Sequence, residues 1–180
     1  MKKDLIREIE IPEGISVSVS GGEAKVSGNG KELVRSFDFP KIELKVERNK
    51  IILSAKRATR RESALIGTVW AHLKNMIKGV GEDFVYKLEV CNVHFPMNVK
   101  VEGDKVIIKS FLGETVERVA KIAPEVNVDI KGNQITVSSH NLEAAGQTAA
   151  NLEKATRLTG KDRRIFQDGI FITEKPRRII

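Results

Sequence analysis

The sequence predicts an α+β fold made by tandem duplication of a small antiparallel β-sheet domain covered by one α-helix, and three observations predict it. First, Pro12, Val17, Lys25, Pro40, Asn49, Ile51 and Ser54 recur 84 positions later as Pro96, Val101, Lys109, Pro124, Asn133, Ile135 and Ser138. A repeat of this period implies one folding unit used twice. Second, the apolar alternation Ile42, Leu44, Val46 returns in phase as Val126, Val128, Ile130, the pattern of a half-buried strand. Third, each copy then changes period. Ile66, Gly67, Trp70, Ala71 and Leu73 match Ala145, Gly146, Ala149, Ala150 and Leu152 at a shift of 79, so the first copy holds five more residues between its last strand and its helix. The 180 residues divide into two copies, 1–82 and 83–180, each of a size that can bury a core without disulfides or metal.

In the first copy Ile15, Val17 and Val19 alternate, Gly21-Gly22 turns, Ala24 and Val26 continue, and Asn29-Gly30 gives a second hairpin turn. Leu33 to Phe39 predicts another strand, interrupted by Pro40, and Ile42–Val46 pairs with Ile51–Ala55 across Glu47–Lys50. From Glu62, Ile66, Trp70, Leu73, Ile77 and Val80 recur at helical spacing, and Gly79 and Gly81 end the helix. The segment from Gly81 to Asn92 alternates Phe84, Tyr86, Leu88, Val90, which makes the connection itself a strand. The second copy continues with strands at Phe95–Val101, Val106–Ile108, Val116–Ile122, Val126–Ile130 and Ile135–Val137, then a helix from Leu142 to Leu158 rich in alanine. Phe37, Phe39, Phe84, Phe95, Phe111 and Trp70 fall on apolar stripes and are expected in the cores.

The segment beyond that helix has no counterpart in the first copy. Gly160 to Ile172, GKDRRIFQDGIFI, places a basic turn before a short apolar strand, and Lys175-Pro176-Arg177-Arg178 places a basic end after it. Phe166, Ile170 and Phe171 are expected to pack this extension on the second sheet, with Asp168-Gly169 as a packed turn.

The net charge of +7 is segregated. It runs +1 over residues 1–55, +5 over 56–81, −4 over 82–153 and +5 over 154–180. Two separate basic regions on a globular chain indicate a polyanion held at defined places. Lys154, Arg157, Lys161, Arg163, Arg164, Lys175, Arg177 and Arg178 form the main candidate site for RNA phosphates. Lys56, Arg57, Arg60 and Arg61, in the cluster 56–61 that contains the five-residue difference between the copies, form a second patch for RNA or an acidic protein neighbour. Arginine predominates in the extension, and its planar fork suits phosphate oxygens.

Catalytic signals are absent. His72, His94 and His140 are scattered without the spacing of a zinc site, and no glycine run forms a phosphate loop. No cofactor, metal, membrane or small-molecule substrate is expected. The lone Cys91 forbids an internal disulfide, no apolar run nears the ~20 residues of a membrane span, and the charged N-terminus lacks an apolar signal core. These features predict a soluble intracellular protein. With aromatics at only 5%, recognition of folded RNA by its backbone fits better than a single-strand stacking platform. The competing reading is a basic adaptor that binds acidic protein partners and not RNA.

The duplicated plan, the strand run Ile42 to Ala55, Arg163-Arg164 with Phe166 and Gln167-Asp168-Gly169-Ile170-Phe171, and the basic end together resemble the ribosomal large-subunit protein six family over the whole chain. The ending resembles its archaeal and eukaryotic branch, because the Tyr-Lys-Gly-Lys-Gly type of segment that closes bacterial members is missing. The resemblance implies a non-enzymatic cytoplasmic component of the ribosome. It implies binding to large-subunit ribosomal RNA, chiefly by the second domain, near the sarcin-ricin loop and stalk base. Neighbouring large-subunit and stalk-base proteins, and translation GTPases that dock there, are the partners it implies.

Overall fold

The computed structural model describes residues 3–37, 39–176 and 178–180. It divides into two compact units, Met1–Glu82 and Asp83–Ile180.

The first unit contains β1 (Lys3–Glu10), β2 (Ile15–Ser20), β3 (Glu23–Gly28), β4 (Lys31–Ser36), β5 (Glu43–Glu47), β6 (Lys50–Ala58) and α1 (Arg60–Gly81). β2, β3 and β4 form one antiparallel meander, while β6 lies between β1 and β5 in a second sheet. The meander turns at Gly21 and Gly22, whose φ values of 58° and 85° suit a residue without a Cβ. Inward positions of both sheets, among them Ala24, Val26, Ile51 and Leu53, close on the Ile66, Val69, Leu73, Ile77 and Val80 stripe of α1. That stripe has the 3.6-residue period that sends side chains to one face. The helix begins at Arg60, earlier than the Glu62 that periodicity marks, because Thr59 closes a capping box with Glu62. The Thr59 N–H donates to the Glu62 carboxylate at 2.9 Å, and the Thr59 hydroxyl donates to it too. These bonds, hydroxyl first, with Lys41 adding charge, hold the Glu62 carboxyl down at about 2.

The second unit contains β7 (Phe84–Cys91), β8 (Asn98–Glu102), β9 (Lys105–Lys109), a 3-10 turn at Phe111–Gly113, β10 (Arg118–Lys121), β11 (Asn127–Lys131), β12 (Gln134–Ser139), α2 (Leu142–Ala155), β13 (Gly169–Lys175) and β14 (Arg178–Ile179). β8, β9 and β10 repeat the meander, and a five-stranded sheet runs in the order β11-β12-β7-β13-β14. Ala145, Thr148, Ala149 and Leu152 are the buried face of α2. Small residues there bring the helix axis close to the sheets, and Leu152 with Ile135, Val137 and Ile170 fills the core.

The duplication is real but its register differs from the sequence matches in one place. Ile9 opposes Ile51 in β6, and Leu88 opposes Ile135 in β12, so β1 corresponds to β7 at a shift of 79. In the hairpins Ser20 faces Glu23 and Glu102 faces Lys105, each across a two-residue turn, a shift of 82. The structural partner of Val17 is therefore Val99, and the identities Val17/Val101 and Lys25/Lys109 join positions two residues out of step. The sheet strands β5–β6 and β11–β12 do keep the shift of 84.

The structure corrects several expectations. β1 is a strand that the apolar pattern does not predict. Phe95 is 48% exposed, not core, and Val116 is 74% exposed, because both lie outside the paired strands, with Phe95 before β8 and Val116 before β10. The strand Leu33–Phe39 stops at Ser36, and the helix from Leu142 stops at Ala155. Cys91 is half-buried on β7, and burial, with Glu89 and Asp168 nearby, pushes its thiol up. Among the described residues no helix is long and apolar enough to cross a membrane, and no cluster of His, Cys, Asp or Glu could hold a metal ion.

Candidate nucleic-acid interface

The C-terminal end of α2 and the start of the extension build one site in the second unit. Lys154 is the basic residue of the last helical turn, where a cation opposes the negative end of the helix dipole. The Ala155 carbonyl, which the helix leaves without an intrahelical donor, and the Arg157 carbonyl just beyond the helix are both bonded from elsewhere. Arg118 on β10 donates from Nη1 to both, at 2.9 and 3.2 Å. Its guanidinium is fixed by Glu114 through two hydrogen bonds, at 2.7 and 2.6 Å, and lies 4.3 Å from the centre of the Phe111 ring. The Arg118 bonds pull the Glu114 carboxyl below its ordinary value.

The extension is fastened by Asp168, which is 2% exposed. Its Oδ1 accepts the N–H groups of Val93 and His94 at 2.7 and 2.9 Å, and Oδ2 lies 2.7 Å from His94 Nδ1. Burial would raise this carboxyl, but the bonds from His94 and Val93 outweigh it and hold the carboxyl below its ordinary value. The His94 ring rests on Phe166, centroids 5.1 Å apart. Thr156 completes the joint. Its Oγ1 accepts the Ile170 N–H at 2.9 Å, tying the end of α2 to the start of β13. β13 then pairs with β7 from Gly169/Cys91 to Ile172/Leu88.

These fastenings bring three of the eight predicted cations, Lys154, Arg157 and Arg163, around one hollow of about 380 Å³ that also includes Glu153, Thr156, Leu158, Asp168 and Phe171. All three cations are exposed, and none is in an ion pair among the described residues. Lys161 stands 4.5 Å from the Phe166 ring centre. Arg164 is placed differently. It is held against Asp162 at 2.8 Å, a pairing that raises the guanidinium and lowers the carboxyl. Lys175 and Arg178 face each other across the β13–β14 pair, away from the hollow's lining. Arg177 lies outside the described residues.

The second patch is in the other unit. Lys56 and Arg57 lie in β6, and Arg60 and Arg61 lie in the first turn of α1. All four are exposed, and Arg60 and Arg61 stand at a helix N-terminus, where the dipole does not favour cations. The Arg57 N–H donates to Asp4 at 2.8 Å, so the backbone of the patch is anchored while its side chains reach solvent. Sequence reasoning missed Arg118, Thr156 and the His94–Asp168 pair. They act between residues 14 to 75 positions apart, and only the topology brings them together.

Comparison with known proteins decides the family. The family model described as ribosomal protein L6 matches residues 11–83 and again 95–169. The chain belongs to the ribosomal protein L6 family. Relatives of L6 type include the large ribosomal subunit protein uL6 of Methanococcus vannielii, 47% identical over 98% of this chain and 97% of the relative. Those of Aeropyrum pernix and Methanosarcina mazei, both 45% identical, cover 97% of this chain and 98% and 99% of their own lengths. The L6 assignment is thus of archaeal type, and its two matched segments are the two copies of the duplication. L6 is a structural family, not an enzymatic one.

Proposed function

We propose that the chain is a structural constituent of the large ribosomal subunit, in the cytoplasm, and binds large-subunit ribosomal RNA through the second unit. The observation that carries the site is the convergence of Lys154, Arg157 and Arg163 on one hollow, outside any ion pair among the described residues, on a frame made rigid by Arg118, Thr156 and Asp168. Preorganised, unneutralised cations lose little of their charge to internal partners when phosphate arrives. Arg164 adds less, since it must leave Asp162 to bind. Lys161, Lys175, Arg177 and Arg178 extend the basic face. The location near the sarcin-ricin loop and stalk base, with neighbouring stalk-base proteins and docking translation GTPases, rests on the family resemblance. Lys56, Arg57, Arg60 and Arg61 serve a second contact, RNA or protein.

The test is a salt titration of binding to deproteinised large-subunit ribosomal RNA. Each lost phosphate contact lowers the slope of log affinity against log salt by about 0.7–0.9. Arg157→Ala with Arg163→Ala should therefore lower it by about 1.4–1.8. An unchanged slope in a folded double variant would take these residues out of the interface.

A further inference from the structure

The hollow at the end of α2 has features that phosphate binding alone does not require. Its polar floor is already satisfied. Asp168 is saturated by His94 and Val93, and the Thr156 hydroxyl accepts from Ile170 and donates to the Glu153 carbonyl. The Ala155 and Arg157 carbonyls, which would repel an anion here, are covered by Arg118. What the hollow presents is three cations, Lys154, Arg157 and Arg163, against one exposed carboxylate, Glu153, with Phe171 and Leu158 on its wall. Phe171 is half-buried, in contrast to Phe84 and Phe111, which are buried in the core. Its ring folds back along the strand over Gly169, where a Cβ would stand 3.1 Å from the ring's Cζ. A side chain at 169 would force the ring to give by a few tenths of an ångström.

We propose that this hollow takes up one unstacked nucleotide of the bound RNA, its phosphate among Lys154, Arg157 and Arg163 and its base against Phe171. The volume, about 380 Å³, falls at the small end of ligand sites and admits a single nucleotide but no duplex. A paired base offers no face to a ring, so the nucleotide must come from a loop, bulge or end, where unstacked bases meet aromatic side chains. The inference rests on the RNA-binding reading and adds to it a place where the protein holds a base and not the backbone alone.

The experiment measures the full chain with deproteinised archaeal large-subunit ribosomal RNA at several salt concentrations. Phe171→Leu keeps the charge and most of the bulk. It should weaken binding about 5- to 100-fold, the loss of one base–ring stack, and leave the salt slope unchanged, while Phe171→Tyr should bind like the parent. Irradiation with short-wave ultraviolet light and then mass spectrometry should place a nucleotide adduct within residues 169–175. Equal affinity of a folded Phe171→Leu protein, or an adduct only elsewhere, would overturn the nucleotide site. If the slope still falls for Arg157→Ala with Arg163→Ala, RNA binding stands and only the base pocket fails.

Discussion

Asp168→Ala is the perturbation that most directly tests how the basic extension is held. The substitution removes the acceptor of two backbone N–H groups, at Val93 and His94, and the partner of the His94 ring. A donor left without an acceptor away from water costs about 1–3 kcal/mol, and these groups are only partly shielded, so the sum should be about 2–4 kcal/mol. For a unit of this size each kcal/mol moves the midpoint by about 4–8 °C, so the second unit should melt about 8–32 °C lower. The chain supplies its own control, since its one tryptophan, Trp70, lies in the first unit. Far-ultraviolet circular dichroism should show the shifted transition while Trp70 fluorescence stays within a few degrees of the parent. Asp168→Asn keeps an oxygen for the two N–H groups and should lose less, about 1 kcal/mol. Acid adds a second check. The folded carboxyl titrates below its ordinary value, so its stabilisation is complete above about pH 4 and is lost as the pH falls further; the asparagine variant should lack that component. A loss below about 0.5 kcal/mol for Asp168→Ala, under the range for even one neutral hydrogen bond, would refute the view that this carboxylate fastens the extension.

Two further predictions concern the first unit. Glu62, held at about 2 against an ordinary 4.5, stabilises α1 fully above pH 4.5 and loses that contribution as the pH falls towards 2. Urea midpoints monitored by Trp70 fluorescence should drop between about pH 5 and 3 less in Glu62→Gln than in the parent, and equal drops would remove Glu62 as the source. Gly28 allows α1 to approach the β3 strand, since a Cβ there would stand 2.9 Å from Val80 Cγ1 and 3.0 Å from the Gly14 carbonyl oxygen. Gly28→Ala should cost about 1–3 kcal/mol through overpacking, read by the same fluorescence transition, and a neutral result would show that the contact relaxes freely.

Periodicity made the cores legible because burial in both units tracks it. Ile51, Leu53, Ile135 and Val137 are fully buried at alternate positions, and Ile66, Leu73, Ile77 and Val80 are buried at helical ones. β1 escaped for a physical reason. It is an edge strand, and edges carry charge to resist pairing with other chains; Asp4, Arg7, Glu8 and Glu10 make its eight residues read as a polar tail. The candidate site was legible as charge and illegible as geometry. Lys154, Arg157 and Arg163 stand out in sequence equally with Arg164, Lys175 and Arg178. Asp162, two residues before Arg164, is what separates that arginine from Arg163. The register slip at the first hairpin arose because valine recurs every second residue in a strand, so a shift of two still matches like with like.

The duplication also explains why the extension lies where it does. Within the repeated part of each unit, the first strand, β1 or β7, pairs on one side only, through β6 or β12. Among the described residues, the first unit leaves the outer edge of β1 open and charged. The second unit covers the same edge of β7 with β13, whose Ile170 is fully buried and whose Glu174 pairs with Lys87 at 2.7 Å. The first strands correspond at a shift of 79 and the hairpins at 82, so the second copy lengthens the link between them. That added length falls in the 92–97 segment, where Asp168 grips Val93 and His94. One added segment therefore does two things: it closes a sheet edge and carries Lys161, Arg163 and Arg164 to the end of α2. Removing it would expose β7 as well as delete charge. Truncation and charge substitution are consequently different experiments, and only the second isolates the contribution of the cations to RNA binding.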